Sequence, residues 1–263
     1  MIDNQIKVKK LAKHLTSAWE GRKGVQPITG LSPDITIDEA YDVQLYTINQ
    51  KVNSGQRITG KKIGLTSKAM QEMLGVNEPD YGHLLNSMEY KNGEEVTFTH
   101  LLQPKVEGEV AFILKNDLTG PNITVSDVLQ ATDTVAPALE IVDSRIKDWK
   151  IRLEDTVADN ASSGLYVLGE KFKTTEGINL KQIEMALYKN GELINTGVGA
   201  AALGDPAKCV AWLANKLSSY GISLRAGEII LSGALSAAVD AAPGDLFHAK
   251  FTGLGEVHVT FKE

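Results

Sequence analysis

The spacing of apolar and polar positions changes character about a third of the way along the chain. Before residue 85 the apolar residues recur every three or four positions, as on one face of a helix; Tyr41, Leu45, Ile48 and Val52 form one such stripe. Ahead of it, Thr36-Ile37-Asp38-Glu39 has the form of a capping box, in which a hydroxyl and a carboxylate satisfy N–H groups left free at a helix start. Gly55 marks the stop. An earlier amphipathic helix carries Lys7-Val8-Lys9-Lys10 as a solvated face. From about residue 86 the texture becomes short alternating strands punctuated by turns. Asn92-Gly93 and Asn190-Gly191 read as hairpin turns, because both central residues of a type I′ turn need positive φ. Pro243-Gly244-Asp245 is a third turn. Two helices are expected among these strands, one from Thr124-Val125-Ser126-Asp127 and one from Asp205-Pro206, the latter with Val210, Leu213, Ala214 and Leu217 on one face. Strands and helices mixed without strict βαβ alternation indicate an α+β fold. The expected organisation is a helical N-terminal region over residues 1–85 and a β-rich core over 86–263 that carries the chemistry.

Composition narrows the functional classes. The 263 residues include 27 Lys+Arg against 33 Asp+Glu, a formal net charge of −6, with 43% hydrophobic and 23% charged residues. These are ordinary values for a globular protein, which sets aside disorder, collagen and coiled coil. The acidic balance argues against a general nucleic-acid or anionic-membrane surface. No apolar run approaches the roughly 18 residues a spanning helix needs, and Met1-Ile2-Asp3-Asn4-Gln5 does not resemble a secretory leader. The single cysteine, Cys209, allows neither an intrachain disulfide nor a thiolate metal cluster. A cytoplasmic protein acting on a small molecule is the expectation, with no nucleic acid or membrane as partner.

Several motifs bear on chemistry. Gly197-Val198-Gly199-Ala200-Ala201-Ala202 fits a dinucleotide fingerprint in spelling, but Gly204-Asp205-Pro206 intervenes before any helix can open, so it reads as a small-residue stretch packed after a strand. The five histidines are scattered and suggest no triad. Within Gln103-Pro104-Lys105-Val106-Glu107-Gly108-Glu109-Val110-Ala111-Phe112-Ile113-Leu114, strand alternation points Glu107 and Glu109 to one side and Val106, Val110, Phe112 and Leu114 to the other. Two carboxylates side by side on so apolar a strand repel each other, and unless one is protonated a cation is the natural compensation. Glu140 has comparable surroundings in Thr134-Val135-Ala136-Pro137-Ala138-Leu139-Glu140-Ile141-Val142-Asp143. Three oxygen ligands describe a Mg2+ or Mn2+ site better than a zinc site, while a solvated sheet face would also accommodate a bare E-x-E. Gly60-Lys61-Lys62-Ile63-Gly64-Leu65-Thr66-Ser67 adds lysine among glycines, where an anion can be approached closely. Glu78-Pro79-Asp80-Tyr81-Gly82 holds an acid in a turn, and Asp155-Thr156-Val157-Ala158-Asp159-Asn160-Ala161-Ser162-Ser163-Gly164 is a polar stretch between apolar runs.

Taken together with Ala138-Leu139-Glu140-Ile141-Val142-Asp143-Ser144-Arg145, Gly199-Ala200-Ala201-Ala202-Leu203-Gly204 and Ile230-Leu231-Ser232-Gly233, these motifs closely resemble the 2-hydroxypenta-2,4-dienoate hydratases. That group and the 4-oxalocrotonate decarboxylases belong to the fumarylacetoacetate hydrolase-like superfamily, and the likeness runs in order from about residue 5 to the C-terminus. The resemblance implies a mixed β-roll or sandwich core behind a helical N-terminal region, assembled as a homo-oligomer, with possible association with a paralogous decarboxylase. It implies Mg2+ or Mn2+ at Glu107, Glu109 and Glu140. Asp80, where decarboxylases tend to carry an uncharged residue, and Arg145-Ile146-Lys147-Asp148-Trp149 favour the hydratase over the decarboxylase. A hydratase acting on a longer 2-oxo diacid shares the core motifs. The implied reaction is metal-dependent addition of water at C4 of 2-hydroxypenta-2,4-dienoate, giving 4-hydroxy-2-oxopentanoate in meta-cleavage catabolism of aromatic compounds. In it Lys62 stabilises the enolate, Asp80 moves protons at the far carbons, and Leu65, Thr66, Ser162 and Ser232 hold substrate or water.

Overall fold

Helix ends form where the sequence supplies partners for the N–H and C=O groups that a helix leaves free. The computed structural model describes residues 2–263. Three helices lead: α1 (Ile2–Gly21), the single turn α2 (Ile28–Leu31) and α3 (Ile37–Asn53). At the head of α3, Thr36 Oγ1 accepts from the Glu39 N–H at 3.2 Å and Glu39 Oε2 accepts from the Thr36 N–H at 2.9 Å, the expected capping box. The buried face of α3 is Ala40, Tyr41, Val43, Gln44 and Ile48, so the stripe is rotated from the expected one and Val52 is exposed.

The helical region ends at Asn53 and not at residue 85. After it come β1 (Ile58–Gly64), α4 (Lys68–Leu74) and β2 (Asp80–Leu85), and both strands belong to the main sheet. They are hard to see in sequence because β1 places Lys62 and Gly64 on a buried face, so period-two hydrophobicity is broken by the residues the site requires. The rest of the chain forms β3 (Glu89–Lys91), β4 (Glu95–Thr97), β5 (Pro104–Leu114), α5 (Val125–Ala131), β6 (Thr132–Asp143), α6 (Leu153–Ala158), β7 (Ser163–Leu168), β8 (Glu184–Lys189), β9 (Glu192–Val198), α7 (Pro206–Ser218), β10 (Ile229–Ala234), β11 (Val239–Asp240), β12 (Leu246–Phe251) and β13 (Gly255–Lys262). An eight-stranded sheet runs β2-β1-β10-β5-β6-β7-β3 with β11 beside β5, and a five-stranded sheet runs β4-β13-β12-β8-β9.

Asn190 and Gly191, at φ 55° and 85°, close the β8–β9 hairpin as expected. Asn92-Gly93 closes none: β3 pairs with β7 in the first sheet and β4 with β13 in the second. Its contacts explain why. Asn92 Oδ1 accepts from the His258 N–H at 2.9 Å and the Gly93 N–H donates to the His258 carbonyl at 3.0 Å, so the turn docks on β13 and hands the chain between sheets. The glycine-alanine stretch also behaves as expected. A Cβ at Gly197 or Gly199 would stand 2.1 Å or 1.8 Å from the carbonyl of Leu235 or Leu180, which is close backbone packing, and α7 begins only after the Asp205 cap.

One face of the large sheet packs on the five-stranded sheet. Val106, Val110, Phe112 and Leu139 are buried in one cluster with Met185, Leu187, Phe247, Val257, Val259 and Phe261, each complete burial contributing about 1.5–3 kcal/mol. The large sheet curls away from that side. Tyr166 on β7 reaches Thr59 on β1 at 3.2 Å and donates to Glu89 at 3.1 Å, which brings distant strands together into a roll. A second apolar cluster of Ile48, Leu84, Leu85, Met88, Ala111, Ala138, Tyr166 and Leu231 fills part of the inner face. One step further along the same strands, Ala111 gives way to Glu109 and Ala138 to Glu140, and the lining turns from apolar to charged.

Candidate active site

Antiparallel pairing of β5 and β6 sets Glu107 opposite Glu140 and Glu109 opposite Ala138, so alternation turns all three glutamates inward. One carboxylate oxygen of each lies within 4.8 Å of the other two. Glu109 and Glu140 are buried and Glu107 is half-buried. The Gly233 N–H fixes Glu109 Oε2 at 2.7 Å, whereas neither oxygen of Glu140 receives a hydrogen bond. Burial, followed by repulsion from Glu140, pushes the Glu107 carboxyl up to about 7; burial with repulsion from Glu140 and Glu107 carries Glu109 well above the ordinary range.

Lys62 projects from β1 toward this cluster. Its Nζ lies 3.2 Å from Glu140 Oε1 and donates to the Ala161 carbonyl at 3.1 Å. Burial works against its charge, but Glu140, Asp80, Glu107 and Glu109 outweigh that cost and raise its pKa, so it stays an ammonium. One ammonium cannot balance three clustered carboxylates. The hard, oxygen-only donor set, with a Glu140 carboxylate that receives no hydrogen bond and has the Lys62 ammonium as ion-pair partner, fits a divalent cation of the Mg2+ or Mn2+ kind.

Asp80 stands beside Gly64 in the β1–β2 register. Its Oδ2 accepts from Thr156 Oγ1 at 3.4 Å and its buried Oδ1 has no donor. Gly64 makes room for it: a Cβ there would lie 2.2 Å from Asp80 Oδ1 and 3.4 Å from Lys62 Nζ, so both functional groups crowd the same point of β1. Burial raises the Asp80 carboxyl above the ordinary range, with Lys62 opposing. A carboxyl whose burial favours the protonated form, beside a fixed ammonium, is suited to exchange protons with a neighbouring group.

The other expected residues fall into three situations. Leu65 leaves β1 at φ 56° and its carbonyl accepts from Gln71 Nε2 at 2.7 Å, while the buried Thr66 packs so closely on Gly233 that a Cβ there would be 2.4 Å from its hydroxyl. Ser162 Oγ is buried and has no partner. Ser232 Oγ donates to the Val110 carbonyl at 2.8 Å and so helps join β10 to β5. Four contributors escaped the sequence reading: the Thr156 hydroxyl, the Ala161 carbonyl, the Gly233 N–H and the space that Gly64 leaves for Asp80. Thr156 and Ala161 lie in the polar stretch singled out above; the backbone groups and the space have no side-chain signature.

Comparison with known proteins gives the family. Residues 76–262 match the family described as fumarylacetoacetate (FAA) hydrolase C-terminal. The chain is 45% identical over 265 residues to a 2-hydroxyhexa-2,4-dienoate hydratase of Comamonas testosteroni, covering 100% of both. It is 49% identical over 217 residues to a 2-hydroxypent-2,4-dienoate hydratase of Pseudomonas putida, covering 82% of this chain and 98% of that one. A solved structure of 4-oxalocrotonate decarboxylase from Pseudomonas putida G7, complexed with magnesium and adipate, superposes with a TM-score of 0.95 at 37% identity over 98% of both chains. The chain belongs to the fumarylacetoacetate hydrolase family and, within it, to the group of the 2-hydroxypentadienoate hydratases.

Proposed function

We propose that the protein is a hydro-lyase that hydrates 2-hydroxypenta-2,4-dienoate to 4-hydroxy-2-oxopentanoate with the help of a divalent cation. The observation that carries the reading is one inward-facing set, Glu107, Glu109 and Glu140 beside Lys62 and the buried Asp80, in a chain whose relatives along most or all of its length are hydratases of this class. Glu107, Glu109 and Glu140 would hold the cation, and the related decarboxylase was solved in complex with magnesium. Bound there, the cation supplies Lewis acidity and a fixed attachment point for a 2-oxo acid.

The chain's own residues supply the rest. Lys62, kept protonated by its carboxylate neighbours, places positive charge where the substrate's C2 oxygen gains negative charge. Asp80 gives its proton to C5 as the C2 hydroxyl releases its own proton to solvent, which generates the electrophilic 2-oxo-3-enoate; its carboxylate then takes a proton from the water that adds at C4, and a solvent proton at C3 of the resulting enolate completes 4-hydroxy-2-oxopentanoate. The unpartnered Ser162 hydroxyl and the Leu65–Thr66 turn are the groups we assign to the substrate carboxylate. Ser232 contributes through its neighbour Gly233, which orients Glu109. Ala111, Ala138 and Leu231, next to the acids on the same face, suit the hydrocarbon end of a C5 monoacid.

Likeness to a 4-oxalocrotonate decarboxylase supports a second reading, loss of CO2 from 2-oxo-3-hexenedioate. Both are tested by following purified protein with Mg2+ on the C5 dienol and on the C6 and C7 diacids, with ultraviolet decay, product NMR and CO2 release as readouts. The hydratase reading expects 4-hydroxy-2-oxopentanoate from the C5 dienol and no CO2 from the C6 diacid. Dienol decay no faster than spontaneous ketonisation would refute it.

A further inference from the structure

The longest run of left-handed backbone on non-glycine residues, among the described residues, is Asn160, Ala161 and Ser162, at φ 56°, 50° and 54°. Each such residue brings its Cβ close to a carbonyl oxygen, so the conformation persists only where the surroundings impose it. Here they do so from both flanks.

On one flank stands β2, the edge strand of the large sheet, whose outer backbone groups have no neighbouring strand. The Asn160 amide takes that neighbour's place: Oδ1 accepts from the His83 N–H at 2.7 Å and Nδ2 donates to the His83 carbonyl at 2.9 Å. Gln44 of α3 extends the link. Its Nε2 donates to the carbonyls of Tyr81 at 3.0 Å and Val157 at 2.7 Å, and its Oε1 bonds His83 Nδ1 at 2.9 Å. Gly82 lets the turn come close, since a Cβ there would lie 2.3 Å from the Asn160 carbonyl. On the other flank the buried Arg145 grips the carbonyls on either side of the turn, donating from Nη1 to Ser163 at 2.7 Å and from Nη2 to Asp159.

The turn carries two things the site uses: the Ala161 carbonyl that receives the Lys62 ammonium and the unpaired Ser162 hydroxyl. Gly82, under the turn, is also the register partner of Lys62. We infer that Asn160 is a positioning residue, whose amide locks the left-handed turn onto β2 so that the Ala161 carbonyl holds Lys62 beside Glu140 and Ser162 stays available to substrate. The residue type fits the task, because asparagine tolerates the left-handed region and its amide both accepts and donates. Alanine can do neither bond, and aspartate keeps only the bond from the His83 N–H. The inference rests on the hydratase reading for its kinetic consequence.

The test compares wild type, Asn160→Ala, Asn160→Asp and Val259→Ala, the last a core truncation in the five-stranded sheet that lowers stability away from the site. Steady-state hydration of the C5 dienol at saturating Mg2+, Mn2+ affinity by paramagnetic resonance, melting temperature and amide hydrogen exchange are measured for each. Asn160→Ala is expected to lower kcat at least tenfold and to raise KM through the displaced Ser162, with Mn2+ affinity within twofold of wild type, and to speed exchange at His83 while β5 stays protected. Asn160→Asp should fall between the two, and Val259→Ala should keep wild-type kcat below its melting temperature. A kcat for Asn160→Ala within threefold of wild type, or an equal kcat loss in Val259→Ala, would overturn the inference. If Asn160→Ala does not fold, Asn160→Asp decides: a fivefold or larger loss of kcat supports positioning and wild-type kcat overturns it. A wild-type protein inactive on the dienol would instead refute the reaction, and positioning would then stand or fall on whether exchange at His83 accelerates in the folded variant.

Discussion

Gly64→Ala isolates the position of Asp80 from its chemistry. Gly64 is outside the positive-φ set, so alanine can adopt its backbone without strain, yet the new methyl would stand 2.2 Å from Asp80 Oδ1, where ordinary contact begins near 3.4 Å. The lysine Nζ, already at 3.4 Å from that point, need not move. Asp80 must yield, because its Oδ1 has no hydrogen bond and its Oδ2 has only the long bond from Thr156 at 3.4 Å. A retreat of about 1 Å restores ordinary contact, and a misplacement of that size in a reacting group costs on the order of 10²-fold in rate, about 2.7 kcal/mol of barrier. The fold should hold: alanine in a strand gains about 0.5–1 kcal/mol over glycine, which offsets part of the local crowding. The three glutamates on β5 and β6 are untouched. Dienol hydration by Gly64→Ala is therefore expected to show kcat reduced about 10²-fold, with Mn2+ affinity within about twofold and a melting temperature within a few degrees of wild type. Asp80→Asn sets the floor for the same assay. Wild-type kcat in a folded Gly64→Ala protein would show that Asp80 does not act from this position, and a parallel loss of Mn2+ affinity would show that the methyl disturbs the acids instead.

Two further outcomes follow from the buried charges. Glu107→Gln removes one negative ligand at nearly constant volume and is expected to weaken Mn2+ binding at least about tenfold, roughly 1.4 kcal/mol, without unfolding the chain; calorimetric titration showing unchanged affinity would remove Glu107 from the ligand set. His83 is held neutral, because burial and then the nearby Lys61 lower its pKa from 6.5 to about 3. Its Nδ1 faces Gln44 Oε1, whose Nε2 already donates twice, so Nδ1 carries the proton. A group depressed in the fold protonates first in the unfolded chain, so this contribution to stability is complete above pH 6.5 and is lost as pH falls toward 3. At pH 5 the loss amounts to about 2 kcal/mol. Urea titrations at pH 7 and pH 5 should show that loss in wild type and less of it in His83→Gln; equal losses in both would acquit His83.

Much of the architecture was legible where local chemistry acts alone. The Thr36 box, the helix starts at Thr124 and Asp205-Pro206 and the Asn190-Gly191 hairpin all depend on neighbours within a few residues. Asn92-Gly93 misled because a turn dipeptide says nothing of which strands it serves, and here a tertiary dock on His258 decides. β1 and β2 were read as part of a helical region because their inward positions are Lys62, Gly64, Asp80 and Gly82, chosen for chemistry and space over hydropathy. The acids of β5 and β6 were legible as a cation-seeking pair and a third member, since i, i+2 spacing is a strand property. What no spacing rule could give was the convergence of β1, β2, β6 and the turn at residues 160–162 on one point. It arises from long-range pairing, and its contributors include a carbonyl, an N–H and a missing Cβ.

The most direct test of the account is a titration of Mn2+ into EDTA-stripped wild-type protein, with bound ion and C5-dienol hydration measured on the same samples. Glu107, Glu109 and Glu140 form a single three-acid set among the described residues, so hydration should rise in proportion to the first equivalent of bound ion per chain and vanish again with EDTA. Full hydration by the stripped protein, or activity that rises without an ion bound to the wild type and lost in Glu107→Gln, would contradict it.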